Sequence, residues 1–281
     1  MSAGRAFVVL DVGGTTVTVA LVRGGRIDGD PTTVASRQDE SSSDIVGHFA
    51  ALVGSVLTDD AVSLVVAIPD PFDFDAGVSR MEHKFAALRG LDLGAELRAR
   101  TGLDPVFVHD ATAAAVGMWV EQGRPVGGFR AITLGTGVGS ALLLDGDPVP
   151  GHDQLWATPY LDGTFEDVVS TRGLRADHAA RSNADLTVAE ISVRASHGDA
   201  TAAAALHWYG HHLGVGMARY FHAAAPDVIA LAGGITGAWP SFVEPMEASY
   251  ADHGGTARLV RSTIAQPALL GAADLAERRL G

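Results

Sequence analysis

The chain has no cysteine among its 281 residues, which excludes disulfide bonds and zinc sites built on thiolates. It also has few basic residues: 20 Lys and Arg stand against 33 Asp and Glu, giving a formal net charge of -13. Affinity for nucleic-acid phosphates and anionic lipids comes largely from basic side chains, so this balance disfavours both partners. We therefore expect no structural zinc and no nucleic-acid partner.

Long apolar runs are also missing. No uninterrupted stretch is long enough to span a bilayer, and the opening residues MSAGRAF lack the hydrophobic segment of a signal peptide. We expect a cytoplasmic protein with no membrane partner. There is no low-complexity linker, and the length exceeds what one hydrophobic core usually fills, so two domains are expected.

A glycine-rich turn joins two apolar segments in VVLDVGGTTVTVAL at residues 8–21. The β-branched run after the glycines predicts a returning strand, whereas a P-loop or a dinucleotide fingerprint would lead into a helix. Such a turn can bind phosphate through backbone amides and hydroxyls, with Asp11 holding a hydrated magnesium ion. An ordinary Gly-Gly hairpin is the alternative. The predicted phosphate ligands are Gly13, Gly14, Thr15 and Thr16.

The same pattern of strand, glycines and threonine recurs in ITLGTGVG at 132–139, and the apolar segment SALLL follows it. Two such loops can contact a polyphosphate from two sides. A third apolar segment, VIALAGGITG at 228–237, ends in Gly233 and Gly234, where a flat base can lie against bare backbone. The predicted ligands in the second loop are Gly135, Thr136, Gly137 and Gly139.

Helical and strand patterns alternate between these motifs, which predicts an α/β fold. A helix capped by Ser43 is followed by a strand at 62–69 and a helix at 91–103. A short strand at 105–110 then leads into a helix that starts at Asp110.

The ordered set of motifs resembles the ROK family of sugar kinases, within the actin, Hsp70 and hexokinase superfamily, over nearly the whole chain. The resemblance implies a two-lobed actin-like ATPase (ribonuclease H-like) fold with ATP, magnesium and sugar in the cleft between the lobes. The implied lobes are residues 1–112, completed by a C-terminal helix at 266–281, and residues 113–265. A small-molecule sugar substrate and a homodimer are further expectations.

Asp110 lies where a predicted strand ends and a helix begins, a position typical of functional groups in α/β proteins. The ROK pattern there is N-D-A-N-A-A-A; this chain keeps the aspartate and has His109 and Thr112 in place of the asparagines. The resemblance makes Asp110 the base that accepts a proton from the attacking sugar hydroxyl, and His109 a substrate contact. A helix-capping role for Asp110 is the alternative, and the two are compatible.

The segment AIPDPFDFDAGVSRMEHKF at 67–85 resembles the GxPGPFDxExGxS segment of the family, with Ala67 and Asp70 in place of glycines. Asp70 either contacts a hydroxyl or amine of the substrate or is a turn residue before a proline. His83 and Lys84 lie where family members contact sugar, and solvated side chains are the alternative.

Between 149 and 170 the family has G-H, a cysteine-rich zinc motif and E-x-x-x-S, whereas this chain has lost every cysteine. His152 and Glu166 match positions that bracket sugar hydroxyls. Val149 stands where a glutamate is expected, and Asp153 is either its substitute or a surface residue. The implied acceptor is a primary hydroxyl of a hexose, an amino sugar or a sugar-like cyclitol.

The sequence also allows other assignments. His207 and His211 have an i, i+4 spacing that zinc accepts, although a helix surface or interface is favoured. A sugar-sensing regulator without turnover is the alternative function, although a first strand at Phe7 leaves no room for an N-terminal DNA-binding domain. A chaperone or filament ATPase is disfavoured by length and by the sugar-contact positions.

Overall fold

The computed structural model describes residues 4–152, 154–221 and 226–280. The chain divides into two compact units, unit 1 being Met1–Val120 with Ala265–Gly281 and unit 2 being Glu121–Ile264. Unit 1 thus includes most of the helix that begins at Asp110, and the lobe boundary at residue 112 stays a prediction. No helix in the described part of the chain is long and apolar enough to cross a membrane.

Strands and helices alternate as the sequence predicts. The strands are β1 (Ala6–Val12), β2 (Thr16–Arg23), β3 (Arg26–Ala35), β4 (Ala61–Ile68), β5 (Phe72–Asp73), β6 (Val78–Ser79), β7 (Pro105–His109), β8 (Gly128–Leu134), β9 (Val138–Leu144), β10 (Asp147–Val149), β11 (Pro159–Tyr160), β12 (Gly163–Thr164), β13 (Val228–Ala232) and β14 (Arg258–Arg261). The helices are α1 (Ser42–Val56), α2 (Leu93–Thr101), α3 (Asp110–Glu121), α4 (Phe165–Val169), α5 (Thr171–Ser182), α6 (Val188–Ser196), α7 (Ala200–Phe221), α8 (Trp239–Asp252) and α9 (Pro267–Leu280).

Each unit contains a five-stranded mixed sheet, with the order β3-β2-β1-β4-β7 in unit 1 and β10-β9-β8-β13-β14 in unit 2. In both sheets the first three strands are antiparallel and the last two continue parallel to the central strand. The architecture is thus repeated, and the predicted two-lobed α/β fold is confirmed.

The central strands are apolar along their length because both faces of each sheet are covered. In β13 every residue is buried, and in β1 only Asp11 is partly exposed. This is why these segments lack the alternation of a half-buried strand. Helices α1 and α9 both pack on β1 and β2.

The cap of α1 differs from the prediction. Ser41, not Ser43, is the N-cap, and its hydroxyl accepts a hydrogen bond from the Asp44 N–H at 3.2 Å. Ser43 lies in the first turn of the helix. The three consecutive serines are equal in capping propensity, so composition could not distinguish them.

Candidate active site

Loop 1 joins β1 to β2 through Gly13, Gly14 and Thr15, and the hairpin predicted from the sequence is confirmed by the antiparallel pairing of these strands. The Gly13 N–H donates to the Thr16 carbonyl at 2.9 Å across the turn. Ser36 fixes the loop from the end of β3: its hydroxyl donates to the Gly14 carbonyl at 2.8 Å, and its N–H donates to the Thr15 carbonyl at 3.0 Å. Sequence reasoning missed Ser36, which is 2% exposed.

Asp11 lies at the end of β1, at the edge of the sheet where the parallel strands of unit 1 terminate. In register, Asp11 pairs with Ala67 of β4, and Ala67 pairs with Val108 of β7, two residues before Asp110. Burial, followed by the charge of Asp110, raises the pKa of Asp11 to about 7. Two carboxylates at one edge, one of them largely desolvated, are a donor set that fits a hydrated hard cation such as magnesium.

Asp110 is the first residue of α3, and its neighbour His109 is the last residue of β7. The Asp110 Oδ1 accepts a hydrogen bond from the Ala111 N–H at 2.7 Å and lies 3.4 Å from the His109 Nε2. The same Nε2 lies 3.6 Å from the Asp70 Oδ2. The imidazole therefore lies close to two of the candidate residues. Asp70 also accepts from the Phe72 N–H at 3.3 Å, so its position agrees with both a turn role and a site role.

Lys84 is placed against loop 1. A Cβ built on Gly14 would lie 3.3 Å from both Cδ and Cε of Lys84, so the lysine stem covers this glycine. The neighbouring His83 is exposed and makes no hydrogen bond or ion pair within the described residues. Lys84 and His83 share one predicted role, but in the structure only Lys84 lies against loop 1.

Loop 2 joins β8 to β9 through Gly135, Thr136 and Gly137, and the antiparallel pairing of these strands confirms the second hairpin. The Gly135 N–H donates to the Gly137 carbonyl at 3.0 Å, and the Gly135 carbonyl accepts from the Thr171 N–H at 2.7 Å. Thr171 is the first residue of α5, so this helix starts at loop 2. Gly139, also a predicted ligand, lies in β9 and pairs with Thr133 of β8.

Glu166, which the resemblance assigns to the sugar, contacts loop 2 in the structure. Its Oε2 accepts a hydrogen bond from the Val138 N–H at 2.8 Å. A Cβ added to Gly137 would lie only 2.8 Å from the same oxygen. Glu166 therefore supports the turn of loop 2, and its carboxylate leaves no room for a side chain at position 137.

His152 is held by a buried arginine that sequence reasoning missed. The Arg130 Nη1 donates to the His152 carbonyl at 2.6 Å, and its guanidinium lies 4.5 Å from the centre of the Phe221 ring. Burial lowers the pKa of Arg130 to about 10. The sequence signal for this role was a charged residue, Arg130, inside the otherwise apolar strand GFRAITL. Asp153, the candidate next to His152, lies outside the described residues.

The glycine pair after β13 lies beside the start of loop 2. Gly233 has a φ of 102°, and a Cβ there would lie 2.3 Å from the Leu134 carbonyl oxygen. Gly234 begins a 3₁₀-helix, Gly234–Ala238, in which Thr236 donates its hydroxyl to the Gly233 carbonyl at 2.8 Å. Only glycine fits this close approach of two strand ends.

A cavity of about 380 Å³ opens next to loop 2 in unit 2. One face of α5 forms its wall, because residues 172, 175, 176 and 179 follow the helical repeat. The Arg175 Nη2 lies 2.6 Å from the Asp185 Oδ1, which fixes the guanidinium at the rim. The lining residues are Thr136, Arg172, Arg175, Ala176, Ala179 and Asp185, with Thr171 at the loop end.

The histidines of α7 are engaged in hydrogen bonds or exposed. The His211 Nδ1 lies 2.7 Å from the Ser249 hydroxyl, and the His212 Nδ1 lies 2.8 Å from the Tyr160 hydroxyl. Burial, followed by the charge of His211, lowers the pKa of His212. His207 is exposed. In the described part of the chain, no three His, Asp or Glu side chains come together as a metal-binding group.

Comparison with known proteins identifies the family and the fold. The sequence model of the ROK family matches residues 7–155 and 161–279. A glucokinase of Thermotoga maritima is 25% identical over 311 residues, covering 97% of each chain. An N-acetyl-D-glucosamine kinase of Aliivibrio fischeri is 23% identical over 253 residues, covering 80% of this chain and 83% of the relative. Among solved structures, a ROK family glucokinase from Streptomyces griseus in complex with glucose and AMPPNP has the same fold, with a TM-score of 0.83, 22% identity and coverage of 97% and 99%.

Proposed function

The chain belongs to the ROK family, and we propose that it is an ATP-dependent kinase that transfers the γ-phosphate of ATP to a hydroxyl of a sugar. One observation carries the proposal. The Asp110 carboxylate lies at the sheet edge that also bears Asp11 and loop 1, so a proton acceptor, a cation site and a phosphate-binding turn occur together in unit 1.

Asp110 acts as the general base. The sugar hydroxyl loses its proton to the Asp110 carboxylate as its oxygen attacks the γ-phosphorus, and the bond from that phosphorus to the bridging oxygen of ADP breaks. Because Asp110 already accepts a hydrogen bond from the Ala111 N–H, its carboxylate is held in one orientation before the substrate arrives.

Charge neutralisation and positioning belong to the loops. In unit 1 the amides of loop 1 are suited to donate to phosphate oxygens; in unit 2 the amides of loop 2 are a second anion-binding turn, and the N-terminus of α5 adds its positive dipole end beside it. Magnesium, held through water by Asp11, would neutralise charge on the β- and γ-phosphates. Asp11 at neutral pH then carries a negative charge because the cation offsets its burial.

The nucleoside end of ATP fits unit 2. The cavity beside loop 2 lies within the volume range of ordinary small-molecule sites, roughly 300 to 1,000 Å³. Its small alanine side chains leave room for a flat base, and the arginines at its rim supply planar cations for stacking. These features support a base site against α5, in addition to the base contacts predicted at Gly233 and Gly234.

The acceptor is tested by turnover. Purified protein with ATP and magnesium is assayed for ADP release against glucose, N-acetylglucosamine, N-acetylmannosamine, other amino sugars and cyclitols. The proposal predicts sugar-dependent ADP release and a phosphorylated product detected by mass spectrometry. Sugar binding without turnover of any acceptor would instead favour the regulatory alternative, and a thermal-shift series detects such binding, since a ligand at 100 times its Kd adds about 2.7 kcal/mol.

A further inference from the structure

Lys84 is the only lysine in the chain; every other member of the 20 Lys and Arg is arginine. Its side chain lies against Gly14 of loop 1, with Cδ and Cε both 3.3 Å from the position of an added Cβ. The ammonium is one bond beyond Cε, so the positive charge lies beside the phosphate-binding turn. We propose that Lys84 binds the transferred phosphate group at loop 1 rather than the sugar, a role that rests on the proposed kinase function.

The surroundings of Lys84 leave its charge available. Within the described residues, no carboxylate lies at ion-pair distance from the ammonium, although the chain has 33 acidic residues. Nearby arginines of the same segment are paired: Arg80 with Asp73 at 2.5 Å and Arg89 with Glu82 at 2.9 Å. A cation without a protein counter-ion beside an anion-binding turn is suited to an anionic ligand.

Gln38 supplies a second observation at the same place. Its Oε1 lies 3.7 Å from the same built Cβ on Gly14, is buried, and has no hydrogen-bond partner. An unpaired buried acceptor costs free energy, and the ammonium of Lys84 is a donor on the same side of the loop. In the described part of the chain, a buried acceptor without a partner and an ammonium without a counter-ion thus lie beside the same glycine of loop 1.

The choice of lysine over arginine has a chemical basis. An ammonium is a compact point charge on a flexible stem, whereas a guanidinium binds in a fixed planar fork. The γ-phosphoryl group moves from the bridging oxygen of ADP to the sugar oxygen, and a flexible ammonium can follow it through a loose transition state. Lys84 forms no covalent bond and keeps its proton, while the hydroxyl proton goes to Asp110.

The unique lysine makes the test direct. An amine-reactive reagent modifies only Lys84 and the terminal α-amine, and the α-amine serves as the internal reference in mass spectrometry. We expect ATP with magnesium to slow modification of Lys84 by about tenfold or more relative to the α-amine, and sugar alone to leave it unchanged. Protection by sugar alone, or by neither ligand, would overturn the proposal.

Substitution gives a second readout. Lys84→Ala should lower kcat on the order of 10²-fold, as removal of one preorganised donor to a developing charge does, while KM for the sugar changes little. Lys84→Arg should recover part of the loss. Arg89→Ala is the matched control, an exposed cation of the same segment, and should retain wild-type kinetics.

The two proposals fail in different ways. A wild-type protein that turns over no acceptor contradicts the proposed function, while the labelling experiment still decides whether Lys84 meets the phosphate. A wild-type protein that is active, with Lys84→Ala at the same kcat, overturns only the role of Lys84. A rise in the sugar KM at constant kcat would return Lys84 to the sugar and also overturn it.

Discussion

The Nε2 atom of His109 lies 3.4 Å from the Oδ1 atom of Asp110. Where the ROK pattern has an asparagine, this chain thus has a side chain that can donate to the proposed base and that also lies 3.6 Å from Asp70. The His109 Nε2 lies within ion-pair distance of both carboxylates, so we expect His109 to act as a positioning residue for Asp110.

His109 can be tested with two replacements. His109→Ala removes the donor beside Asp110 and should lower kcat about 10-fold to 100-fold, the equivalent of a hydrogen bond to a charged group. His109→Asn restores an amide donor and should retain more activity than the alanine variant. Steady-state kinetics of both variants against the best acceptor is the measurement; equal rates for wild type and His109→Ala would rule out the positioning role.

The buried carboxylate of Asp11 is expected to lower the stability of the metal-free protein while it serves activity. Its pKa is about 7 in the folded protein and about 4 when unfolded, so between these values the folded state binds the proton more tightly. The stability of the metal-free protein should therefore fall as pH rises from about 4 to about 7.

Asp11→Asn removes the buried charge. In the presence of a chelator, the variant should unfold at a higher temperature than wild type at pH 8 and at a similar temperature below pH 4, while its kcat is strongly reduced. Thermal unfolding at both pH values checks this. Added magnesium should stabilise wild type and leave the variant unchanged; a variant less stable than wild type at pH 8 would show that the carboxylate is paired within the fold.

Loop 2 offers a matched pair of glycines. Gly137→Ala places a methyl group 2.8 Å from the Glu166 Oε2, so either the carboxylate or the turn must move, whereas a Cβ on Gly135 meets nothing within 4 Å. We expect Gly137→Ala to raise KM for ATP about tenfold or more and Gly135→Ala to have a much smaller effect. The KM for sugar, measured at saturating ATP, distinguishes a phosphate role for Glu166 from the sugar role expected from the resemblance.

The sequence predicted the parts of the fold that depend on local patterns. The two hairpins around loops 1 and 2 and the strand before Gly233 follow from β-branched runs and glycine turns, and all three are found. The placement of Asp110 at a strand-to-helix junction is likewise a local property of the chain.

The contacts around the site could not be predicted in this way, because they join residues far apart in the sequence. Nothing local relates Lys84 to Gly14, Glu166 to Val138, or Arg130 to His152. Each contact depends on how the strands are ordered in the sheet and on which side the connecting segments return. Side-chain type alone therefore predicted a general substrate role for Lys84 and Glu166. Only the structure shows that Lys84 lies against loop 1 and that Glu166 lies against loop 2.

The most direct test of the account is Asp110→Asn. Asparagine caps a helix about as well as aspartate, so the variant should keep its thermal stability and its affinity for ATP. Removal of the proton acceptor should lower kcat on the order of 10²-fold to 10⁴-fold. Asp110→Ala should show the same loss of kcat and a further loss of about 1 kcal/mol in stability. An asparagine variant that phosphorylates the acceptor at a rate near that of wild type would contradict the assignment of Asp110 as the base.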